Sequence, residues 1–193
     1  MLLLTIAIFF TSFASYHSGS LRPLFLDLQE CPENISITAQ AYNEFDCYEY
    51  LDRNVLAQGY QPVQLFLQNN SDHYYWFSTK GINLPLASTH EVAKRVHTST
   101  ASRVSLYGIA SLVMAPFAIP AIIDGFCSYH SNQFLDLDFD LKAGQDQIFA
   151  PHEYINVIFF VPKKQYQDSL SIKLLDVETH QTITISTQIK YPS

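Results

Sequence analysis

The sequence predicts a mainly β protein with a helical insertion, in which an immunoglobulin-like β-sandwich is interrupted by an apolar helical hairpin. Two groups of short β-favouring runs, one on each side of residues 89–145, predict the strands. Between them, residues 104–123 carry no charge, and Pro116 and Pro120 interrupt any straight helix there. Hydrophobic residues make up 48% of the 193-residue chain and charged residues 15%, which excludes the class of disordered chains.

The N-terminal residues have the pattern of a secretory signal. Residues 1–16 carry no charged side chain, and an apolar run ends in small residues up to Ala14. We therefore expect a signal peptide over residues 1–15, cleavage near Ala14, and export to the periplasm or cell envelope. The run is shorter than the ~20 residues of a membrane span. Tyr16 and His17 stand where a lipoprotein would need its anchoring cysteine.

Residues 16–52 form an acidic N-terminal segment. From residue 23 to residue 52 there are seven acidic side chains and no Lys or Arg, a pattern that favours a solvated loop. Cys31 and Cys47 flank this acidic stretch. In an oxidising compartment a Cys31–Cys47 disulfide would stabilise the protein by about 3 kcal/mol. The alternative is three free, buried thiols, with Cys127 as the third.

Two ranges, residues 53–88 and 146–193, are predicted to build the sandwich. In the first, an apolar run meets turn-forming residues at 69–72 and then resumes, which is typical of a hairpin. In the second, three β-favouring runs are separated by short polar turns. Residues 74–77 are all aromatic; they fit a strand of the core, and the alternative is a ligand-binding face.

Residues 89–145 are predicted to be the helical hairpin. Small residues recur at helical spacing on both limbs, which favours close packing of the two helices. Each apolar limb is under about 18 Å long, shorter than the ~30 Å hydrocarbon core, so the hairpin either dips into one leaflet or packs on protein. Lys94, Arg95 and Arg103 precede the run and can meet lipid headgroups. The insertion is expected to be separable from the sandwich, and its contact residues are expected to be Met114, Phe117, Ile119, Ile122 and Ile123.

Residues 135–141 place three aspartates at alternate positions between apolar residues. As a helix, this motif pairs Asp138 with Lys142 and puts Leu135 and Phe139 on one face. The alternatives are a strand and a metal site. A metal site is disfavoured because the glycine and the glutamate of a calcium loop are missing.

No catalytic, cofactor-binding or metal-ligating residue is predicted. The sequence contains no HExxH, CxxC, GxSxG, GxGxxG or P-loop motif. The net charge of −7, without a basic stripe, excludes the class of nucleic-acid-binding proteins. The alternative to a non-enzymatic protein is a small hydrolase or metal-dependent enzyme whose site residues converge only in three dimensions.

Over about residues 50 to 190, the chain resembles an uncharacterised group of bacterial envelope proteins, in which a Gly/Ala-rich apolar hairpin interrupts a β-sandwich. The residues that carry the resemblance are His97-Thr98-Ser99-Thr100 with Arg103, Tyr107-Gly108, Pro116, Ile119-Pro120-Ala121, Asp124-Gly125, Asp146-Gln147-Ile148-Phe149-Ala150-Pro151 and Ile158-Phe159-Phe160-Val161-Pro162. The chain departs from the many lipoprotein-like members because it lacks the anchoring cysteine. The resemblance implies an envelope-associated binding or structural module, whose partner is a membrane surface or an envelope protein, and it implies no activity.

Overall fold

The computed structural model describes residues 15–22, 24, 28–31, 34–98 and 118–191, with only the backbone described at Glu30 and residues 118–124. These residues form eight strands and three α-helices, together with short 3₁₀ turns. The elements are β1 (Gln29–Cys31), β2 (Ile35–Ala41), α1 (Glu44–Leu51), β3 (Tyr60–Asn69), β4 (Tyr75–Ile82), α2 (Thr89–Val96), α3 (Ala118–Lys142), β5 (Gln147–Phe149), β6 (Tyr154–Pro162), β7 (Ser169–Asp176) and β8 (Thr182–Lys190).

The strands form one eight-stranded sheet. Its order is β5-β4-β7-β8-β2-β3-β6, with β1 paired to β2 off this path. Neighbours are antiparallel except β2 and β8, which pair in parallel at Ala39–Ile189 and Gln40–Lys190. The sheet therefore starts inside the acidic segment, and β2 is an internal strand rather than part of a region outside the sheet.

The inner face of the curled sheet encloses the main core. Along β2, Ile35, Ile37 and Ala39 are fully buried on this face, as the two-residue period of a strand requires. Phe77 on β4, next to the edge strand β5, and Phe159 on the opposite edge strand β6 lie 6.5 Å apart between ring centroids, so distant strands of the sheet meet across the core. The prediction of a mainly β protein with helices is confirmed.

The outer face of β3 and β6 carries a second core, which the three helices cover. Phe139 on α3 stacks on Phe160 of β6 with 5.2 Å between ring centroids. The members of this core lie on α1, α2, α3, β3, β6 and the adjoining loops: Tyr42, Cys47, Tyr50, Leu51, Val55, Tyr60, Val92, Ala93, Leu135, Phe139, Ile158 and Phe160. The helical insertion therefore packs on this side of the sheet, and its separability stays a prediction.

The predicted helical insertion is present between β4 and β5 as α2 and α3, which contact each other. Met114 and Phe117 lie outside the described residues. Ile119, Ile122 and Ile123 lie on α3, where only the backbone is described. The hairpin tip therefore stays a prediction. Within the described ranges, every helix is too short or too polar to cross a membrane.

The acidic segment is not a solvated loop, and this prediction was wrong. Asn43 caps α1 by accepting a hydrogen bond from the Asp46 backbone, while the Asp46 carboxylate accepts one from the Asn43 backbone. Asp46 is also buried, and its carboxylate lies 2.7 Å from the Arg22 guanidinium. The acidic residues at the start of α1 are stabilised because they face the positive end of the helix dipole.

The Cys31–Cys47 disulfide is not formed. Cys31 on β1 contacts the inner core, whereas Cys47 on α1 is buried in the outer core, so the two thiols belong to opposite faces of the sheet. Burial raises the pKa of the Cys47 thiol to about 11. A thiol held in this protonated form is a poor nucleophile at neutral pH.

Three free thiols are expected when the denatured protein is titrated without reductant at pH 8. In the native protein, Cys47 is expected to react more slowly than Cys31, because it is buried and stays protonated at this pH. Its raised pKa also implies that its contribution to stability is complete below its ordinary pKa of about 8.5 and is lost as pH rises towards 11. A single thiol in denaturant would contradict this expectation and indicate the disulfide.

Candidate contact surface on the long helix

Helix α3 has apolar side chains on two opposite faces. Leu135 and Phe139 are fully buried against the sheet. The opposite face exposes an apolar stripe, in which Leu141 is 83% and Phe126 66% exposed. We call this side the outward face of α3; its apolar members are Phe126, Tyr129, Phe134, Leu137 and Leu141, and His130, Gln133 and Asp140 are exposed among them. A helix that is apolar on both faces is normally buried on both, so the outward face is a candidate contact surface.

Sequence reasoning placed the contact residues earlier in the chain and missed the outward face. The signal was present, since Phe126, Phe134, Leu137 and Leu141 share one face at helical spacing. It was difficult to recognise because Leu135 and Phe139 form a second apolar face within the same stretch of sequence.

Each of the three aspartates of α3 has a polar partner; Asp140 lies on the outward face, and Asp136 and Asp138 lie on its two sides. Asp136 lies 2.7 Å from the imidazole of His97, and Asp140 accepts a hydrogen bond from the Thr89 hydroxyl. Asp138 pairs with Lys142 at 2.6 Å, one helical turn away, and the predicted helix is confirmed over the motif. The carboxylates bind α3 to its neighbours instead of converging, and no group of three potential metal ligands forms among the described residues.

Asp138 and Lys142 are the centre of a part-buried polar cluster. The Asp138 carboxylate accepts hydrogen bonds from the hydroxyls of Tyr16 at 2.6 Å and Ser18 at 2.9 Å. The Lys142 ammonium donates to Asp138, to the Ser18 hydroxyl at 2.9 Å and to the Tyr50 carbonyl at 2.7 Å. Burial lowers the pKa of Lys142, and the hydrogen bond to Asp138 opposes that shift. Burial first, then the hydrogen bond to Asp138, raises the pKa of Tyr16.

Ser18 and Lys142 are the residue types of a serine nucleophile and its lysine base. Their hydrogen bonds here instead join separate parts of the fold. A general base must be neutral and offer a lone pair. Here all three donors of the Lys142 ammonium have acceptors, one of them a carboxylate, and this favours the charged form. The cluster therefore holds the N-terminal segment, α1 and α3 together.

Ser15 and Thr98, which border the two apolar runs of the sequence, lie beside the middle of α3. At the N-terminal side, Arg53 donates to the Ser15 carbonyl at 3.3 Å and to the Ser131 hydroxyl on α3 at 3.3 Å. At the central side, the backbone of Thr98 donates to and accepts from the Asn132 side chain at 2.9 and 3.0 Å. Ser15 and Thr98, the described residues that border these runs, are therefore held at neighbouring positions of one helix.

A second exposed apolar patch lies on the outer face of β4, β5 and β7. Trp76 pairs in register with Ile148 on one side and Leu175 on the other, and all three are exposed. Only alternate residues of the predicted aromatic run reach this surface, since Tyr75 and Phe77 point into the core. The run is thus a strand of the core with a smaller apolar outer patch.

Comparison of the chain with models of known protein families, with characterised proteins and with solved structures gives no match.

Proposed function

We propose that the protein is a non-enzymatic, envelope-associated binding or structural module, and that it contacts a membrane or a partner protein through its helical insertion. The proposal includes export, with the apolar run of residues 1–15 acting as the signal. One observation carries it: the outward face of α3 exposes a stripe of apolar side chains, although the helix is already packed on protein through its other face.

The size of the exposed side chains supports this function. Full burial of one such side chain is worth about 1.5–3 kcal/mol. Five exposed side chains of this size on one helix are a large apolar surface for a protein that meets only water. By contrast, the polar cluster at Asp138 and the pair of His97 with Asp136 are engaged in holding elements together.

We also infer that the sheet is an immunoglobulin-like sandwich. Two antiparallel sets support this, β1-β2-β3-β6 and β5-β4-β7-β8, which face each other across the main core. Among the described residues, the strand pairing that joins them is the two residue pairs of β2 with β8. Two antiparallel sheets on one core are the defining arrangement of such a sandwich.

The test of the proposed function is cell fractionation of the double variant Phe117→Asp with Ile122→Asp. We expect the wild type in the envelope fraction, and we expect the double variant to remain folded and to lose this association, because a carboxylate resists transfer into an apolar contact.

The matched control is Ile148→Asp with Leu175→Asp, which changes two exposed apolar side chains of the sheet patch. A folded double variant that fractionates like the wild type would overturn the proposed function. Wild type recovered only from the cytosol would overturn export.

A further inference from the structure

We propose that a basic corner of the molecule binds the headgroups of anionic lipids and so decides which end of this acidic protein faces a membrane. The basic corner consists of Lys94, Arg95, Lys163 and Lys164. This inference rests on the proposed function and deepens it, because it names the charge of the membrane partner and adds residues outside the helical insertion to the contact.

The basic corner is assembled from two pairs of cations that are far apart in the sequence. Arg95, in the last turn of α2, lies over the ring of Tyr60 at 5.5 Å from the ring centroid. Tyr60 begins β3 and pairs with Pro162, which ends β6. Lys163 follows directly, and its backbone donates to the Gly59 carbonyl at 2.9 Å. The ends of α2 and β6 therefore meet at the start of β3, and each end carries two adjacent cations.

The ammonium of Lys163 lies on the same side of the sheet as α2. Burial raises the pKa of the Cys47 thiol to about 11, and the positive charge of Lys163 opposes this shift. Cys47 belongs to the outer core, together with Val92 of α2. The two pairs of cations thus share one face of the sheet.

Most of this positive charge is not neutralised by the protein. Lys94, Lys163 and Lys164 are exposed, and within the described residues their ammonium groups form no hydrogen bond or ion pair. Arg95 is paired with Glu91 at 3.6 Å, but both side chains are more than half exposed, so the pair is weak. By contrast, three other cations of the fold pair with carboxylates at 2.7 Å or less. The basic corner therefore stays positive in a chain whose net charge is −7.

The surroundings of the basic corner favour a layer of headgroups over a protein or a single anion. Protein interfaces have an apolar core with charges at the rim. The described ranges around the corner, 56–60, 89–96 and 160–166, expose no large apolar side chain. A site for one phosphate or carboxylate needs forked or buried donors, whereas exposed lysines are mobile point charges. Such charges fit the diffuse negative surface of an anionic bilayer.

The other charges near α2 favour a single orientation. The nearest aspartates of α3 are Asp136, bonded to His97 after the end of α2, and Asp140, bonded to Thr89 at its start. They lie on the α3 side of α2, whereas Arg95 lies on the side of β3. An anionic surface repels the rest of an acidic chain. Attraction is therefore expected only when the basic corner faces the bilayer.

The experiment is binding of the full chain to two kinds of vesicle at low and high salt. One vesicle is phosphatidylcholine alone, and the other contains equal amounts of phosphatidylcholine and phosphatidylglycerol. The measured quantity is the ratio of the two partition coefficients, in which apolar contacts common to both vesicles cancel. Each lysine near an anionic surface is expected to raise this ratio about fivefold. The ratio should fall towards unity at high salt, because the charges are then screened.

The test variant is Lys94→Gln with Lys163→Gln, which neutralises one lysine of each pair. The matched control is Lys80→Gln with Lys173→Gln, which removes the same charge from exposed positions of β4 and β7. All four side chains are exposed, so the thermal unfolding midpoint should change little, and it is measured first. We expect the test variant to lower the ratio by about twenty-five-fold and the control to leave it nearly unchanged.

Each outcome decides the inference. A ratio near unity for the wild type overturns it, and so does an equal ratio for the wild type and the folded test variant. Equal losses in test variant and control show that net charge, and not the basic corner, sets the preference. Retention on an immobilised anionic polymer without binding to vesicles shows that another polyanion is the partner.

Failure of this inference is distinguishable from failure of the proposed function. The proposed function is tested by fractionation of the Phe117→Asp and Ile122→Asp variant, which keeps all four cations of the basic corner. If the test variant unfolds, Lys164→Gln is compared with Lys173→Gln, and an about fivefold loss is expected for Lys164→Gln alone. Equal ratios for these two variants would also overturn the inference.

Discussion

Replacement of Phe139 by alanine is expected to lower the free energy of unfolding by about 3–5 kcal/mol. Phe139 has no exposed surface and stacks on Phe160, so it joins α3 to the outer face of the sheet. The loss has two parts, the transfer free energy of the ring and the cavity left between helix and strand. Urea denaturation followed by circular dichroism measures it.

The matched control is Phe134→Ala on the same helix. Phe134 is 61% exposed, and its truncation should change the free energy of unfolding by only about 0.5 kcal/mol. Equal effects for the two phenylalanines would show that α3 is not part of the core. A large effect only for Phe139 would show that the helical insertion and the sheet unfold together.

Local pattern is enough to predict features whose contacts are local. The motif at residues 135–141 is an example, since the pairing of Asp138 with Lys142 and the shared face of Leu135 and Phe139 follow from helical spacing alone. The strand runs were likewise predictable, because alternation in β7 exposes Ser169 and buries Leu170 as a two-residue period requires.

Contacts between distant residues could not be predicted in this way. The partner of Asp46 is Arg22, and the partner of Asp138 is Tyr16, 122 residues away. A run of acidic residues is predicted to be solvated unless the basic side chain that pairs with it, here Arg22, is known. The same limit applies to Gln64, which reads as a polar surface residue but is fully buried, where its amide donates to the Arg22 carbonyl.

The outward face of α3 shows why a second apolar face of a helix is difficult to recognise from sequence. A single apolar stripe on a helix predicts one buried side. In α3 the stripe of Leu135 and Phe139 accounts for packing on the sheet, so the second stripe at Leu137 and Leu141 becomes visible only when the first is seen to be occupied. Sequence reasoning pointed to this region of the chain but assigned the contact to the uncharged run before it.

Replacement of Asp138 by alanine is expected to lower the free energy of unfolding by about 2 kcal/mol. The change leaves the Lys142 ammonium, whose side chain is 10% exposed, without its carboxylate, and it removes the acceptor of the Tyr16 and Ser18 hydroxyls. The loss stays below that of a fully buried ion pair because the Asp138 side chain is 23% exposed, so water partly replaces it. Urea denaturation measures the change. Limited proteolysis should show faster cleavage in residues 15–22, which lose their hold on α3.

Two variants make this expectation specific to the cluster. Asp140→Ala on the same helix removes an exposed carboxylate that is bonded to Thr89, and it should cost well under half as much. The double variant Asp138→Leu with Lys142→Met removes both charges and should recover most of the lost stability, because no unpaired ammonium is left in a poorly hydrated site. If the double variant is as unstable as Asp138→Ala, the orphaned hydroxyls rather than the ammonium account for the loss. If Asp138→Ala is no worse than Asp140→Ala, the cluster does not hold α3 to the N-terminal segment.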